Sequence, residues 1–218
     1  MDIEQKINYQ LNKYPSIKRV IKRIYQLGMC AISPKIKSEG NIVRISPDDN
    51  SEYFFGYYDK SPWDASGRFV LCLKAKDTWS DVSPKEPANI ILIDTVDGSA
   101  RTIAQTHAWN IQQGCMLQWL GPDYESRILY NDFRNGSYCS VILTLSDNSE
   151  QVVPSSVYSV AADGSFALTL DFSRLFRLRP GYGYYNIPEE TRNEKIPNKP
   201  CIWKVDLTSG LAEPLLKY

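Results

Sequence analysis

"ASGRFVLCL" at residues 65–73 returns as "ADGSFALTL" at 162–170, both fitting A-[SD]-G-x-F-x-L-x-L. The glycine supplies the left-handed backbone that a tight turn needs. After it, apolar side chains at every second position bury one face of a strand. A second element recurs three times, as "NIILIDTVDGSARTIA", "SVILTLSDNSEQVVP" and "CIWKVDLTSGLAEPL". Each joins two strands through a turn carrying Asp with Gly or Asn, the pattern of a hairpin. The tips at Gly98, Asn148 and Gly210 lie roughly one propeller blade apart, a period of about 40–50 residues. The last interval is longer because "RPGYGYYNIPEETRNEKIPNKP" is inserted before its hairpin.

The sequence therefore predicts an all-β fold, a partial β-propeller of about three four-stranded blades. The blades fall at about residues 53–106, 107–157 and 158–218 of a propeller segment spanning 41–218. Propellers close with about 4–8 blades. The chain stops directly after an outer hairpin, so it reads as a fragment of a six- or seven-bladed propeller. The missing blades are expected from the same longer chain or from another chain.

Residues 1–40 read as an N-terminal helix and linker. In "YPSIKRVIKRIYQLGMCAI", Ile17, Val20, Ile21, Ile24 and Leu27 recur at helical spacing. Pro15 suits the helix start and Gly28 its stop. Lys18, Arg19, Lys22 and Arg23 crowd the same segment. They fit either a solvated side of a helix packed on the body or a weak peripheral contact with an anionic membrane surface. "SPKIKSEGN" is the linker.

The 25 acidic and 25 basic residues balance, which gives no global field toward nucleic acid. No apolar run approaches the roughly 20 residues of a membrane span. The polar start "MDIEQKINYQLNKYPSIKRV" lacks a signal-peptide core, so a cytoplasmic location is expected, with the basic helix as the route to any membrane association. The five cysteines form no CxxC pair and read as buried free thiols.

Three segments belong to the innermost strands or the loops feeding them. "YFFGYYDKSPWD" offers Tyr57, Tyr58 and Trp63 beside Asp59 and Lys60, a charge pair that either orients a polar ligand or works as acid and base. Asp59 capping a turn is the plainer alternative. "HAWNIQQGCMLQW" offers His107, Trp109, Asn110, Gln112 and Gln113, a stacking ring with amides suited to sugar hydroxyls. The same amides also suit backbone groups at a blade junction. Cys115, Leu117 and Trp119 alternate into the core. "DFSRLFRLRPGYGYY" brings Arg174, Arg177 and Arg179 next to Tyr182, Tyr184 and Tyr185. Arginine forks recognise carboxylates and phosphates, and they equally form ion pairs between blades. "YNDFRNGS" adds Asn131, Asp132 and Arg134 around a hairpin turn. One histidine does not make the usual multi-histidine metal site, and no phosphate loop or zinc motif is present, so neither metal nor cofactor is expected.

"FGYYDKSPWDASG", "AWNIQQGCMLQWLG", "ILYND" and "RPGYGY", met in this order, resemble a family of β-propellers found among bacterial capsule and surface-polysaccharide biosynthesis proteins. Some members carry a glycosyltransferase label. The repeats are more distantly similar to TolB-like and WD40-like propellers and to oligogalacturonate lyase. That lyase holds a metal with several histidines, where this sequence has His107 alone. Together with the ring, amide and arginine chemistry of the three segments, this suggests a propeller that binds a glycan or nucleotide-sugar, with Tyr57, Tyr58, Trp63, His107, Trp109, Asn110, Gln112, Gln113, Arg174, Arg177, Tyr182 and Tyr184 as the candidate ligand-binding residues read from those segments. Two alternatives stand beside it. One is a carbohydrate-active enzyme, transferase or lyase, with Asp59 or Asp132 as base and Lys60 or an arginine stabilising charge. The other is a protein–protein platform. A transferase normally uses nucleotide-binding α/β domains, and no βαβ alternation appears here.

Overall fold

The computed structural model describes residues 14–34, 39–78 and 85–217. The chain divides into two units, Met1–Arg44 and Ile45–Tyr218. The expected N-terminal helix is α1, Pro15–Ile32, with Pro15 in its first turn. The helical stretch predicted before residue 14 and linker residues 35–38 lie outside the described residues. Gly28 does not stop α1. A single helical glycine costs only about 1 kcal/mol against alanine, and the helix continues until Ser33 turns extended, its amide donating to the Met29 carbonyl at 2.8 Å.

The second unit is a partial β-propeller of three antiparallel meanders. The first blade holds β1 (Glu52–Phe54), β2 (Phe69–Ala75), β3 (Ala88–Asp94) and β4 (Ala100–Thr106). The second holds β5 (Gln118–Trp119), β6 (Arg127–Arg134), β7 (Ser137–Thr144) and β8 (Glu150–Val153). The third holds β9 (Ser159–Val160), β10 (Phe166–Thr169), β11 (Pro200–Asp206) and β12 (Ala212–Lys217). Within each blade every strand pairs with the next one in sequence, and the blades stack sheet on sheet. A short helix that the strand pattern did not predict, α2 (Phe172–Leu178), opens the long β10–β11 connection.

Alternation explains the stacking. Leu71, Leu73, Ile90 and Leu92 of the first blade meet Ile128, Tyr130, Val141 and Leu143 of the second. The intervening residues of the second blade, Leu129 and Ile142, point the other way, onto Ala167 and Val205 of the third. Both faces of the middle sheet are thus covered, which is why "RILYND" and "CSVILTL" read as continuous apolar runs. Each fully buried Leu or Ile contributes about 1.5–3 kcal/mol. Cys72, Cys115 and Cys139 are buried, Cys201 is half-buried, and Cys30 is exposed.

The hairpin tips are built as their residues require. Gly98, Asn148 and Gly210 have φ of 75°, 57° and 74°. The amides of Gly98 and Gly210 each donate at 2.9 Å to the carbonyl four residues back, Asp94 or Asp206.

The inner edge of the first blade is interrupted. β1 ends at Phe54, yet Trp63 returns to bridge Val70, and the Leu71 amide donates to the Pro62 carbonyl at 2.9 Å. Residues 55–62 therefore leave the ladder between two anchored ends. This excursion supplies the candidate site.

Candidate functional site

The excursion carries Tyr57, Tyr58, Asp59 and Lys60. Gly56 fixes its path: a Cβ there would stand 2.8 Å from the Gln113 carbonyl oxygen of the second blade's entry turn. The Tyr57 and Tyr58 rings lie 4.4 Å apart, and Tyr57 meets Tyr182 of the insertion edge-on at 6.1 Å. The Arg179 guanidinium covers the Tyr182 ring at 4.3 Å. Lys60 Nζ lies 5.8 Å from the ring centre of Tyr158, at the entry to the third blade. The Tyr158 hydroxyl accepts from Gln113 Nε2 at 3.3 Å. Exposed Gln112 neighbours Gly181, where a Cβ would come within 3.7 Å of its Cγ. Stretches far apart in sequence thus meet along one inner wall, with Tyr58 86% exposed at its mouth.

Lys60 donates to both Asp59 carboxylate oxygens, at 3.0 and 2.9 Å. Its side chain is 9% exposed and that of Asp59 39%. The wall continues into a cavity of about 410 Å³ lined by Asp59, Lys60, Trp63, Gln118, Trp119 and Tyr124. Trp119 holds the far side by donating from Nε1 to the Pro62 carbonyl at 2.9 Å. Trp63 is exposed at the rim.

Several side chains expected at a ligand surface are placed otherwise. Trp109 is buried in the core between the first two blades, its Nε1 donating to the Glu86 carbonyl at 2.9 Å. Asn110 is buried too. Its Oδ1 accepts from the Gln112 and Gln113 amides at 2.9 and 2.7 Å, and its Nδ2 donates to the Gly183 carbonyl at 2.9 Å. Gln113 accepts from the Gly183 amide at 3.2 Å. These amides satisfy buried backbone, because an unpaired polar group there would cost more than a ligand contact returns. "HAWNIQQ" is therefore a buried junction with Gln112 alone turned outward among its amides, not a rim. Tyr184 is buried, stacked on Phe172 at 4.6 Å and nearly parallel, its hydroxyl accepting from Asn131 Nδ2 at 2.9 Å.

The arginines divide. Arg174 is buried and donates to Glu189 at 3.3 Å and to Thr191 at 3.0 Å, while Arg177 Nε reaches the same Glu189 at 2.5 Å. Burial alone would raise the Glu189 carboxyl. Hydrogen bonds from Thr191, Arg177 and Arg174, with the Arg177 charge, outweigh it and hold the group below its usual range. These two arginines clamp the insertion, and Arg179 is the one that reaches the tyrosine cluster. The insertion helix is set by Asp171, whose carboxylate accepts from the Ser173 and Arg174 amides.

Asp132 is also committed. Its Oδ1 accepts from the His107 and Phe133 amides, both at 2.8 Å, and its Oδ2 from Arg134 Nε at 2.7 Å. A buried carboxylate with both oxygens engaged is poorly placed as a general base. His107 is exposed, with Nδ1 3.5 Å from Asp132. Among the described residues, no group of three or more His, Cys, Asp or Glu side chains is placed to share an ion.

Tyr158, Gln118 and Tyr124 join the site without having been singled out from sequence. Tyr158 and Gln118 had one usable signal, their position at or beside the first strand of a blade. Tyr124 lies in the β5–β6 turn, where no periodicity marks it.

Burial drives up the phenols of Tyr138, to about 12, and Tyr184, which is fully buried. Tyr57 is pushed up to about 12 by its hydrogen bond with Tyr58 and by partial desolvation. A folded pKa above the unfolded value of about 10 means that this stability is whole below pH ~10 and is lost as pH rises toward 12. Alkaline titration should show a late class of phenolates, read by ultraviolet absorbance, whose appearance coincides with loss of circular dichroism. One smooth titration with the dichroism intact throughout would put these rings in water.

No protein-family model matches the chain, and no curated protein matches it in sequence. Among solved structures it is similar to oligogalacturonate lyase from Vibrio parahaemolyticus, with 14% identity and a TM-score of 0.48 over 78% of this chain and 42% of that one. It is also similar to TolB from Acinetobacter baumannii, with 12% identity and a TM-score of 0.41 over 76% of this chain and 32% of that one. The chain therefore spans less than half the length of either structure.

Proposed function

We propose that this inner wall binds a carbohydrate, a glycan or a nucleotide-sugar, without transforming it, and that it serves bacterial surface-polysaccharide assembly. The observation that carries the reading is the convergence of Tyr57, Tyr58, Tyr158 and Tyr182, from separate stretches, around Arg179 and the Asp59–Lys60 pair. Tyrosine rings offer flat apolar faces with a polar edge, which suits a sugar ring carrying hydroxyls. Gln112 and Asp59 supply donors and acceptors at the exposed end, and Arg179 supplies charge for a carboxylate or phosphate. Asp59 is tied to Lys60 and Asp132 to backbone, which favours holding a ligand over proton transfer. The polysaccharide setting rests on the motif resemblance of "FGYYDKSPWDASG" and "RPGYGY".

The test is calorimetric titration with neutral oligosaccharides, uronic-acid oligosaccharides and nucleotide-sugars. Tyr182→Ala should weaken the best ligand about tenfold or more, equivalent to about 1.4 kcal/mol. Arg179→Ala should weaken acidic ligands more than neutral ones. Absence of binding across the panel, or binding indifferent to Tyr182→Ala, would refute the reading. Turnover abolished by Asp59→Asn in a folded chain would replace it with an enzyme.

A further inference from the structure

Helix α1 is not used by the proposed site, and its two sides have opposite chemistry. At 3.6 residues per turn, Leu27, Val20, Ala31, Ile24, Ile17, Ile21 and Ile32 fall within an arc of about 140°. Lys18, Lys22, Arg19 and Arg23 occupy an opposing arc of about the same width. No acidic residue lies between Pro15 and Ile32. Tyr25 stands at the border, where an aromatic ring with a polar tip suits a lipid–water boundary. None of these side chains is buried, including Ile17, Val20, Ile21, Ile24, Leu27 and Ile32. Among the described residues no helix is long and apolar enough to cross a membrane.

We infer that α1 lies in the plane of an anionic membrane surface, its isoleucine side in the acyl boundary and its basic side among the headgroups. Charge decides the occupant. Every charged residue of the polar arc is basic, and a helix built only to pack on protein gains nothing from excluding every acid from its solvent side. Apolar burial and attraction to acidic lipid act together in such a helix. The inference is independent of the carbohydrate reading.

The experiment is sedimentation of the full chain with vesicles of phosphatidylcholine, alone or mixed with phosphatidylglycerol. Binding should be at least about tenfold stronger to the mixed vesicles and should fall as salt is raised. Ile21→Glu with Ile24→Glu should abolish it, and Arg19→Glu with Lys22→Glu should remove the preference for phosphatidylglycerol. Equal or absent binding to the two vesicle types overturns the inference. So does an Ile21→Glu/Ile24→Glu chain that binds as before. A lower unfolding temperature of that variant without lipid would show that the face packs on the protein itself. Loss of a lipid-free dimer would give the face to a second copy. Either result also overturns it.

Discussion

Asn131→Ala is expected to destabilise the propeller unit by about 3–5 kcal/mol. Asn131 is fully buried, and its side chain uses every hydrogen-bonding position that it has. Nδ2 donates to the Val157 carbonyl at 2.8 Å and the Tyr184 hydroxyl at 2.9 Å. Oδ1 accepts from the Val157 amide at 2.8 Å and shares the Ser140 hydroxyl proton, at 2.9 Å, with the Ser155 carbonyl at 2.6 Å. One side chain on β6 therefore ties the second blade to the entry of the third and to the insertion. Truncation strands both backbone groups of Val157 in an apolar setting, where each unsatisfied group costs about 1–3 kcal/mol. Thermal unfolding should move down by about 10 °C. Asn131→Asp should be comparably severe near neutral pH, because it removes both donors and buries a charge. Ser140→Ala, which removes a single hydroxyl from the same cluster, should cost about 1 kcal/mol. A loss for Asn131→Ala no larger than that of Ser140→Ala would mean that water takes over the amide's bonds.

The contrast between Asn131 and the tyrosines shows what was legible in the sequence. The blades were, because their signals are local: alternation in "RFVLCL", Asp with Gly or Asn at three hairpin tips, and a repeated A-[SD]-G turn. Placement of the polar and aromatic residues was not. Trp109 and Trp63 have the same chemistry, yet one fills a core and the other stands at a rim. Asn110 and Gln112 are two residues apart, and the turn at Asn110–Gly114 buries the first and exposes the second. Such outcomes depend on contacts with residues 70 or more positions away, as Asn110 and Gln113 show with Gly183. Arg174 and Arg177 read as anion binders because their partner Glu189 lies inside an insertion without periodicity. The α2 start did carry a signal, Asp171 two residues before Ser173. It was hidden because Phe172 continues the alternating rhythm of Phe166, Leu168 and Leu170.

Gly183→Ala should disable the proposed site while leaving the three sheets in place. Gly183 has φ of 65°, a backbone region that costs a residue with a side chain about 1 kcal/mol or more. A Cβ there would also overlap the Phe172 carbonyl oxygen and stand 2.6 Å from the Phe176 amide nitrogen. Both neighbours are backbone of α2, so neither yields by rotating a side chain. Relief requires lifting residues 182–184 off the helix. That breaks the Gly183 bonds to Asn110 and Gln113 and the stacking of Tyr184 on Phe172. The sum is about 3 kcal/mol or more. Tyr182, immediately before Gly183, would leave Tyr57, so carbohydrate affinity should fall at least as far as in Tyr182→Ala. Hydrogen exchange should quicken across 172–187, while β2, β3, β6 and β7 keep their protection. If Gly183→Ala bound ligand normally and exchanged normally over 172–187, the "RPGYGY" turn would not be what positions the site. If the strands of all three blades lost protection together, the insertion would be part of the propeller's own core, and its docking would not be separable from the fold.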